Sequence, residues 1–251
     1  MKKRLYFGLL LTLLATACSE KTLDTIDTNP NIIADAPLNT LLPAAQMLVA
    51  QRVVGPTAIV SGYASEHTNF TGVNTATKFQ VGGAAAFAVS GGTNWASGFQ
   101  AIRYFADVRA KAEAQNRVGY AAIAEVMTAY TLSLLVDVFG DVPYREVAQE
   151  GVLQPKFEKA QDLYVEMQKL LDAGIQKCDQ ASAAASRPGN DDLVFRGNMA
   201  LWKKTAWGLK ARLANRLSNV DAQGSAQQAL VAVGNSFAAG EGFTAVSYTH
   251  L

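Results

Sequence analysis

The 251 residues are 49% hydrophobic and 17% charged, a composition that supports one sizeable core and excludes a disordered chain. The 22 basic and 21 acidic residues nearly cancel. The overall charge therefore provides no reason to expect a nucleic acid or an acidic membrane surface as partner.

The N-terminus has the pattern of a bacterial lipoprotein signal peptide. Basic residues Lys2 to Arg4 precede a short apolar run, Leu5 to Ala17, which is well under the roughly 20 residues that span a bilayer. Small residues then lead to Cys18, as in a lipobox, so we expect residues 1–17 to be removed and Cys18 to carry the lipid anchor. The alternative is an ordinary secretory signal with an incidental cysteine. Only Cys178 remains, and if Cys18 is acylated no intramolecular disulfide can form.

Apolar residues recur at helical spacing along most of the chain after a short polar tether. The predicted helices cover residues 38–54, 60–67, 95–114, 118–139, 157–180 and 198–218. The helix over Val118–Phe139 is apolar on almost all sides, which predicts that neighbouring helices surround it. Paired helices joined by short turns indicate a mostly α protein, a helical-hairpin solenoid with long irregular loops.

The region between residues 69 and 94 differs from the rest because glycines alternate there with Thr, Asn and scattered Phe. A loop of this length tends to be functional or poorly ordered, and a short strand over residues 78–81 is possible within it. A second loop is expected over residues 181–192.

Enzyme signatures are not found in the sequence. There is no H-E-x-x-H, G-x-S-x-G or P-loop pattern, and the only histidines are His67 and His250. Asp137 and Asp141 could be imagined as calcium ligands, but two acids do not fill the roughly six to eight positions of that ion. We expect these two carboxylates to make hydrogen bonds that stabilise a turn. Basic residues of the last predicted helix are spread around it, unlike a nucleic-acid-binding face.

Four segments, in this order along the chain, carry a family resemblance. They are Thr28–Asn31, Leu132–Glu146 with its D-x-F-G-D-x-P-Y turn, Pro155–Phe157 with Gln161–Tyr164, and Gly197–Lys204 with Leu209–Ser218. Together they resemble the SusD/RagB-like outer-membrane lipoproteins. The resemblance implies tetratricopeptide-like helix pairs, a lipid anchor and a SusC-like TonB-dependent transporter as partner.

The resemblance also implies the function. We expect a non-enzymatic lipoprotein without cofactor or metal, held on the outer membrane and facing the cell exterior, that captures a nutrient, most often a glycan, and delivers it to the transporter. The alternatives are a lipoprotein of the same fold that captures peptides or another nutrient, and a helical-repeat envelope scaffold. Sugar rings stack on aromatic side chains, so the candidate ligand-binding residues are Tyr63, Asn69, Phe70, Phe79, Asn94 and Trp95. For Trp95 the competing interpretation is a core residue.

The C-terminal residues suggest an interrupted sequence. Val246 to Leu251 corresponds to one reading frame of the transposase mosaic-end adapter used in sequencing libraries, and we expect these six residues not to be native. Because members of the family are considerably longer, we interpret residues 18–245 as an incomplete, N-terminal part of a SusD-like helical domain.

Overall fold

The computed structural model describes residues 36–54, 93–181 and 184–241, and from Pro37 onward these belong to one structural unit. Its helices are α1 (Leu38–Leu48), which continues as one π-helical segment (Val49–Val54), α2 (Thr93–Ala114), α3 (Val118–Phe139), α4 (Ala160–Gln180), α5 (Met199–Arg216) and α6 (Ala222–Gly234). A short 3-10 helix covers Ala184–Ser186. Two strands, β1 (Val142–Pro143) and β2 (Phe157–Glu158), pair in antiparallel fashion.

Helices that follow one another in sequence pack on one another in space. α1 contacts α2, α2 contacts α3, and the pairing continues through α4 and α5 to α6. This order produces an array of helical hairpins with the hydrophobic core between successive pairs. The prediction of a mostly α fold is confirmed.

Helix α3 is the centre of the core. All its residues from Gly119 to Ala129 and from Thr131 to Val136 are buried, because α2 and α4 flank it and α1 and α5 also contact it. Among the described residues only α3 is long and apolar enough to cross a membrane, yet 78% of that apolar window is buried inside the protein. The burial on several sides that the apolar sequence predicts is thus confirmed.

The polar residues of α3 have partners inside the core. Thr128 and Thr131 donate hydrogen bonds to the carbonyl oxygens of Ala124 and Met127, one helical turn earlier, at 2.7 and 2.8 Å. The buried Glu125 lies 2.9 Å from the ammonium group of Lys177 on α4 and 3.5 Å from Arg109 on α2. These pairs connect three helices and leave no charge of Glu125 uncompensated.

Several predicted element boundaries change in the structure. The helix predicted to begin at Phe157 begins at Ala160, since Phe157 and Glu158 form a strand, and the helix predicted to reach Ser218 ends at Arg216. Helix α6 is not among the predicted helices, because it carries Gly224 and exposes much of its apolar surface. The helix predicted over residues 60–67 and the strand over residues 78–81 lie outside the described residues.

The basic residues of α5 are not simply solvated. Each pairs with a carboxylate on a neighbouring element: Lys203 with Asp179, Lys204 with Glu241, Lys210 with Asp172, and both Arg212 and Arg216 with Asp137. The sequence alone does not reveal these pairs, because the carboxylates come from segments distant in sequence.

Candidate functional site

The predicted site residues fall partly outside the described chain. Cys18, Tyr63, Asn69, Phe70 and Phe79 lie outside it, whereas Asn94 and Trp95 lie in the first turn of α2. Of these two, Trp95 has a described side chain, and it packs against the core while remaining partly buried. The candidate site is therefore built outward from Trp95.

Trp95 is the centre of a cluster of four aromatic rings. Phe99 and Phe139 meet it edge-on, with ring centroids 4.7 and 5.0 Å away and interplanar angles of 76° and 86°. Phe157 is more nearly parallel to the indole, at 25°, with its centroid 6.0 Å away. Edge-to-face and offset parallel contacts are the favourable arrangements of aromatic rings. The cluster holds Trp95 rigidly between α2, the end of α3 and β2.

Phe157 is the solvent-facing member of this cluster. It is 66% exposed, although its ring lies against Trp95. Strand pairing places it opposite Pro143, and Glu158 opposite Val142, so its position is set by the backbone. An aromatic ring held in place and open to water offers an apolar face to a ligand.

The sequence did not single out Phe157 as a site residue. It lies in a segment that carries the family resemblance, but the periodicity assigned it to the start of a helix. The alternation of charged Lys156, apolar Phe157 and charged Glu158 was the available signal for an extended segment.

A carboxylate secures the turn that carries Phe157. Glu158 accepts hydrogen bonds from the backbone N–H groups of Tyr144, at 3.2 Å, and Arg145, at 2.7 Å, and forms an ion pair with the Arg145 guanidinium group. Arg145 also donates to Glu166 of α4 at 3.0 Å. Burial raises the pKa of the neighbouring Tyr144 to about 12, so that its hydroxyl stays protonated. The result is a rigid support behind the aromatic cluster.

Asp137 and Asp141 stabilise the same region. Asp141 accepts hydrogen bonds from the ammonium group of Lys159, at 2.7 Å, and from the backbone N–H of Ala160, at 2.9 Å; these bonds lower the pKa of its carboxyl group. Asp137 accepts from the hydroxyl of Tyr164 at 3.0 Å and pairs with Arg216. Asp141 makes the turn-stabilising hydrogen bonds that the sequence analysis expects, whereas Asp137 connects α3 to α4 and α5.

The arrangement is suited to binding. The charged groups beside the aromatic cluster are engaged with one another, and the open surface is the ring of Phe157. Within the described ranges, no group of three His, Cys, Asp or Glu side chains could hold a metal ion. These features define a class: an α-helical hairpin protein with an aromatic contact surface at one end of its helices.

Comparison with known families makes the assignment specific. Residues 30–241 match the family model described as "Starch-binding associating with outer membrane", SusD-like_2. The chain belongs to this SusD/RagB-like family, and the family that the sequence resemblance indicates is confirmed. A comparison with curated proteins finds no match.

Solved structures show the same fold at low sequence identity. A SusD/RagB family protein from Bacteroides thetaiotaomicron is 22% identical, with a TM-score of 0.66 over 81% of this chain and 43% of its own. A chitin-binding SusD homolog from Flavobacterium johnsoniae is 18% identical, with a TM-score of 0.57 over 78% of this chain and 42% of its own. The chain thus spans less than half the length of these relatives.

Proposed function

We propose that the protein is an outer-membrane lipoprotein that binds a nutrient glycan and delivers it to a SusC-like TonB-dependent transporter. The family match over residues 30–241 is the observation that carries this proposal, because the family is described as starch-binding and outer-membrane-associated. Chitin-binding proteins among the structural neighbours support a polysaccharide as the ligand class. Within the described residues the chemistry supports binding and not catalysis.

The aromatic cluster is the proposed contact surface for the glycan. The open face of Phe157 can stack on the apolar face of a sugar ring, and Trp95 behind it keeps the phenyl ring in place. The candidate residues Asn69, Phe70 and Phe79 precede α2 in the sequence and lie outside the described residues. We propose that they complete the site.

The ligand should be uncharged or weakly charged. Near the cluster, Arg145 forms ion pairs with Glu158 and Glu166, and Lys159 forms one with Asp141. Because these charges are paired, no excess of one sign is directed at the ligand. Stacking is short-ranged and is not screened by salt. Affinity should accordingly change little between low and moderate salt, whereas a steep loss would contradict the neutral-glycan assignment.

Replacing Phe157 with Ala tests the contact surface. The variant should bind a polysaccharide identified on a glycan array about tenfold more weakly, a loss of ~1.4 kcal/mol that is the order expected for one aromatic stacking contact. Its stability should change little, because Phe157 is 66% exposed. Isothermal titration calorimetry measures the affinity and circular dichroism the stability.

Leu153 provides the matched control, because it lies in the same turn, is apolar and is 94% exposed. Leu153→Ala should bind like the unaltered protein. Equal losses in both variants, or none in Phe157→Ala, would place the glycan elsewhere. Binding of peptides but of no glycan on the arrays would overturn the glycan proposal in favour of the same fold serving another nutrient.

A further inference from the structure

A separate groove lies between α4, α5 and α6, and none of its lining residues belongs to the aromatic cluster around Trp95. Its volume is about 400 Å³, within the roughly 300–1,000 Å³ that is usual for ligand sites. The lining includes Gln168, Trp207, Lys210, Gln227, Gln228 and Val231. The groove therefore combines one indole ring, one exposed aliphatic side chain and three primary amides.

Most of the polar groups of this groove are available to a ligand. Among the described residues, the indole N–H of Trp207 and the side-chain amides of Gln227 and Gln228 make no hydrogen bond. Gln168 makes one long bond, from its amide nitrogen to the carbonyl oxygen of Lys210 at 3.4 Å. Each amide can both donate and accept, which is the pattern that hydroxyl groups require.

The charge in the groove is already compensated. The ammonium group of Lys210 lies 2.6 Å from the carboxylate of Asp172, and its side chain is only 16% exposed. It also lies 5.7 Å from the centroid of the Trp207 ring, a cation–π contact that helps to hold the indole in place. An anionic ligand would have to compete with Asp172, whereas a neutral ligand would not.

We propose that this groove is a second binding site for a neutral oligosaccharide, with Trp207 as the stacking surface and Gln227 and Gln228 as hydrogen-bonding partners of its hydroxyl groups. The inference rests on the proposed glycan-binding function and adds a second contact point on the same molecule. Two separated contact points allow one long polysaccharide, or two shorter chains, to bind with greater avidity than either site alone.

Titration with maltohexaose and with chitohexaose tests the second site. The purified protein should bind the preferred oligosaccharide at two sites, and Trp207→Ala should bind it at one. Because Trp207 is half-buried, a second variant avoids any loss of folding: Gln227→Ala combined with Gln228→Ala changes two exposed side chains. It should weaken binding at the same site about tenfold. Gln223→Ala, also exposed on α6 but outside the groove, is the control and should change nothing.

The outcomes separate this inference from the proposed function. If Phe157→Ala weakens binding while the Trp207 and Gln227/Gln228 variants bind like the unaltered protein, the second site is wrong and the proposed function stands. If the unaltered protein binds no glycan, neither these two oligosaccharides nor any on the array, both are contradicted. Loss of one site in the groove variants, with the site of Phe157 retained, supports the inference.

Discussion

Asp192 is a buried carboxylate that connects distant parts of the described structure. It is 0% exposed and accepts hydrogen bonds from five donors. The donors are the side chain of Gln46, the backbone N–H groups of Val194, Phe195 and Gly197, and the indole N–H of Trp202. One side chain thereby joins α1, the loop before α5 and α5 itself, and all five donors are satisfied by it.

Replacing Asp192 with Asn should destabilise the protein strongly. The amide group of Asn would replace one accepting oxygen with an NH2 group that faces other donors. Because these buried donors lose their acceptor, the free energy of unfolding should fall by about 3 kcal/mol. Urea unfolding followed by circular dichroism measures the change. Asp179→Asn removes a carboxylate that is 59% exposed and pairs with Lys203, so it should cost under about 1 kcal/mol. Equal costs in the two variants would refute the role of Asp192.

The glycine that precedes α5 is required by its neighbours. Gly197 has a φ of 74°, and a Cβ there would overlap the carbonyl oxygen of Pro188. The side chain of Asn198 then accepts hydrogen bonds from Ala200 and Leu201, at 3.1 and 3.2 Å, and so caps the helix. These contacts explain the Gly197-Asn198 pair at the start of the family segment.

At the scale of elements, α4 takes its N-terminal cap from another segment. The residue at the capping position, Lys159, makes no capping bond with its side chain. Asp141, which follows α3, accepts from the N–H of Ala160 instead and pairs with Lys159. A negative charge at a helix N-terminus also interacts favourably with the helix dipole. The turn after α3 and the start of α4 are therefore coupled.

Asp141→Ala should lower the thermal midpoint, and the effect should depend on pH. The pKa of Asp141 is lowered from its ordinary value of 3.8, so the folded state favours the charged form. The stabilisation is complete above the ordinary pKa and is lost as the pH falls through the lowered pKa. The difference between the two proteins should be full at about pH 7 and small at about pH 2.

Glu150 is an exposed carboxylate in the connection between β1 and β2 and serves as the control. Glu150→Ala should leave the midpoint unchanged at both pH values. If the difference in thermal midpoint between Asp141→Ala and the unaltered protein does not depend on pH, the charge of the carboxylate does not contribute to stability.

At the scale of the whole molecule, the proposed outer-membrane association requires an anchor. Helix α3 has the composition of a membrane span, but its burial by the other helices assigns it to the core. We propose that a lipid on Cys18 attaches the protein, in keeping with the outer-membrane association in the description of the family.

Cys18→Ala should release the protein from the outer-membrane fraction into the soluble fraction, as measured by fractionation and detergent partitioning. Cys178→Ala is the matched control, because that thiol is 6% exposed within the core and burial raises its pKa to about 12, which makes it inert. The control should remain membrane-bound. Continued membrane association of Cys18→Ala would exclude acylation as the anchor.

Local pattern was enough to predict most of the described helices. Periodicity identified α2, α3 and α5 nearly to their ends, because the apolar residues that make a helix amphipathic or fully buried lie within a few positions of one another. Helix α6 was missed because Leu230, Val231 and Val233 remain exposed and make no apolar stripe directed at the core. The family was recognisable because its segments are local as well.

The candidate site needed the tertiary structure. The sequence by itself determined the helical class and the family, and it named Trp95 as a candidate residue. Only the fold brought Phe157 to Trp95, Asp141 to Ala160 and Gln46 to Asp192. These partners are 19 to 146 residues apart, and no short-range periodicity relates them. Such contacts depend on which helices become neighbours, and that is decided by the burial of α3 and the packing of the helices around it.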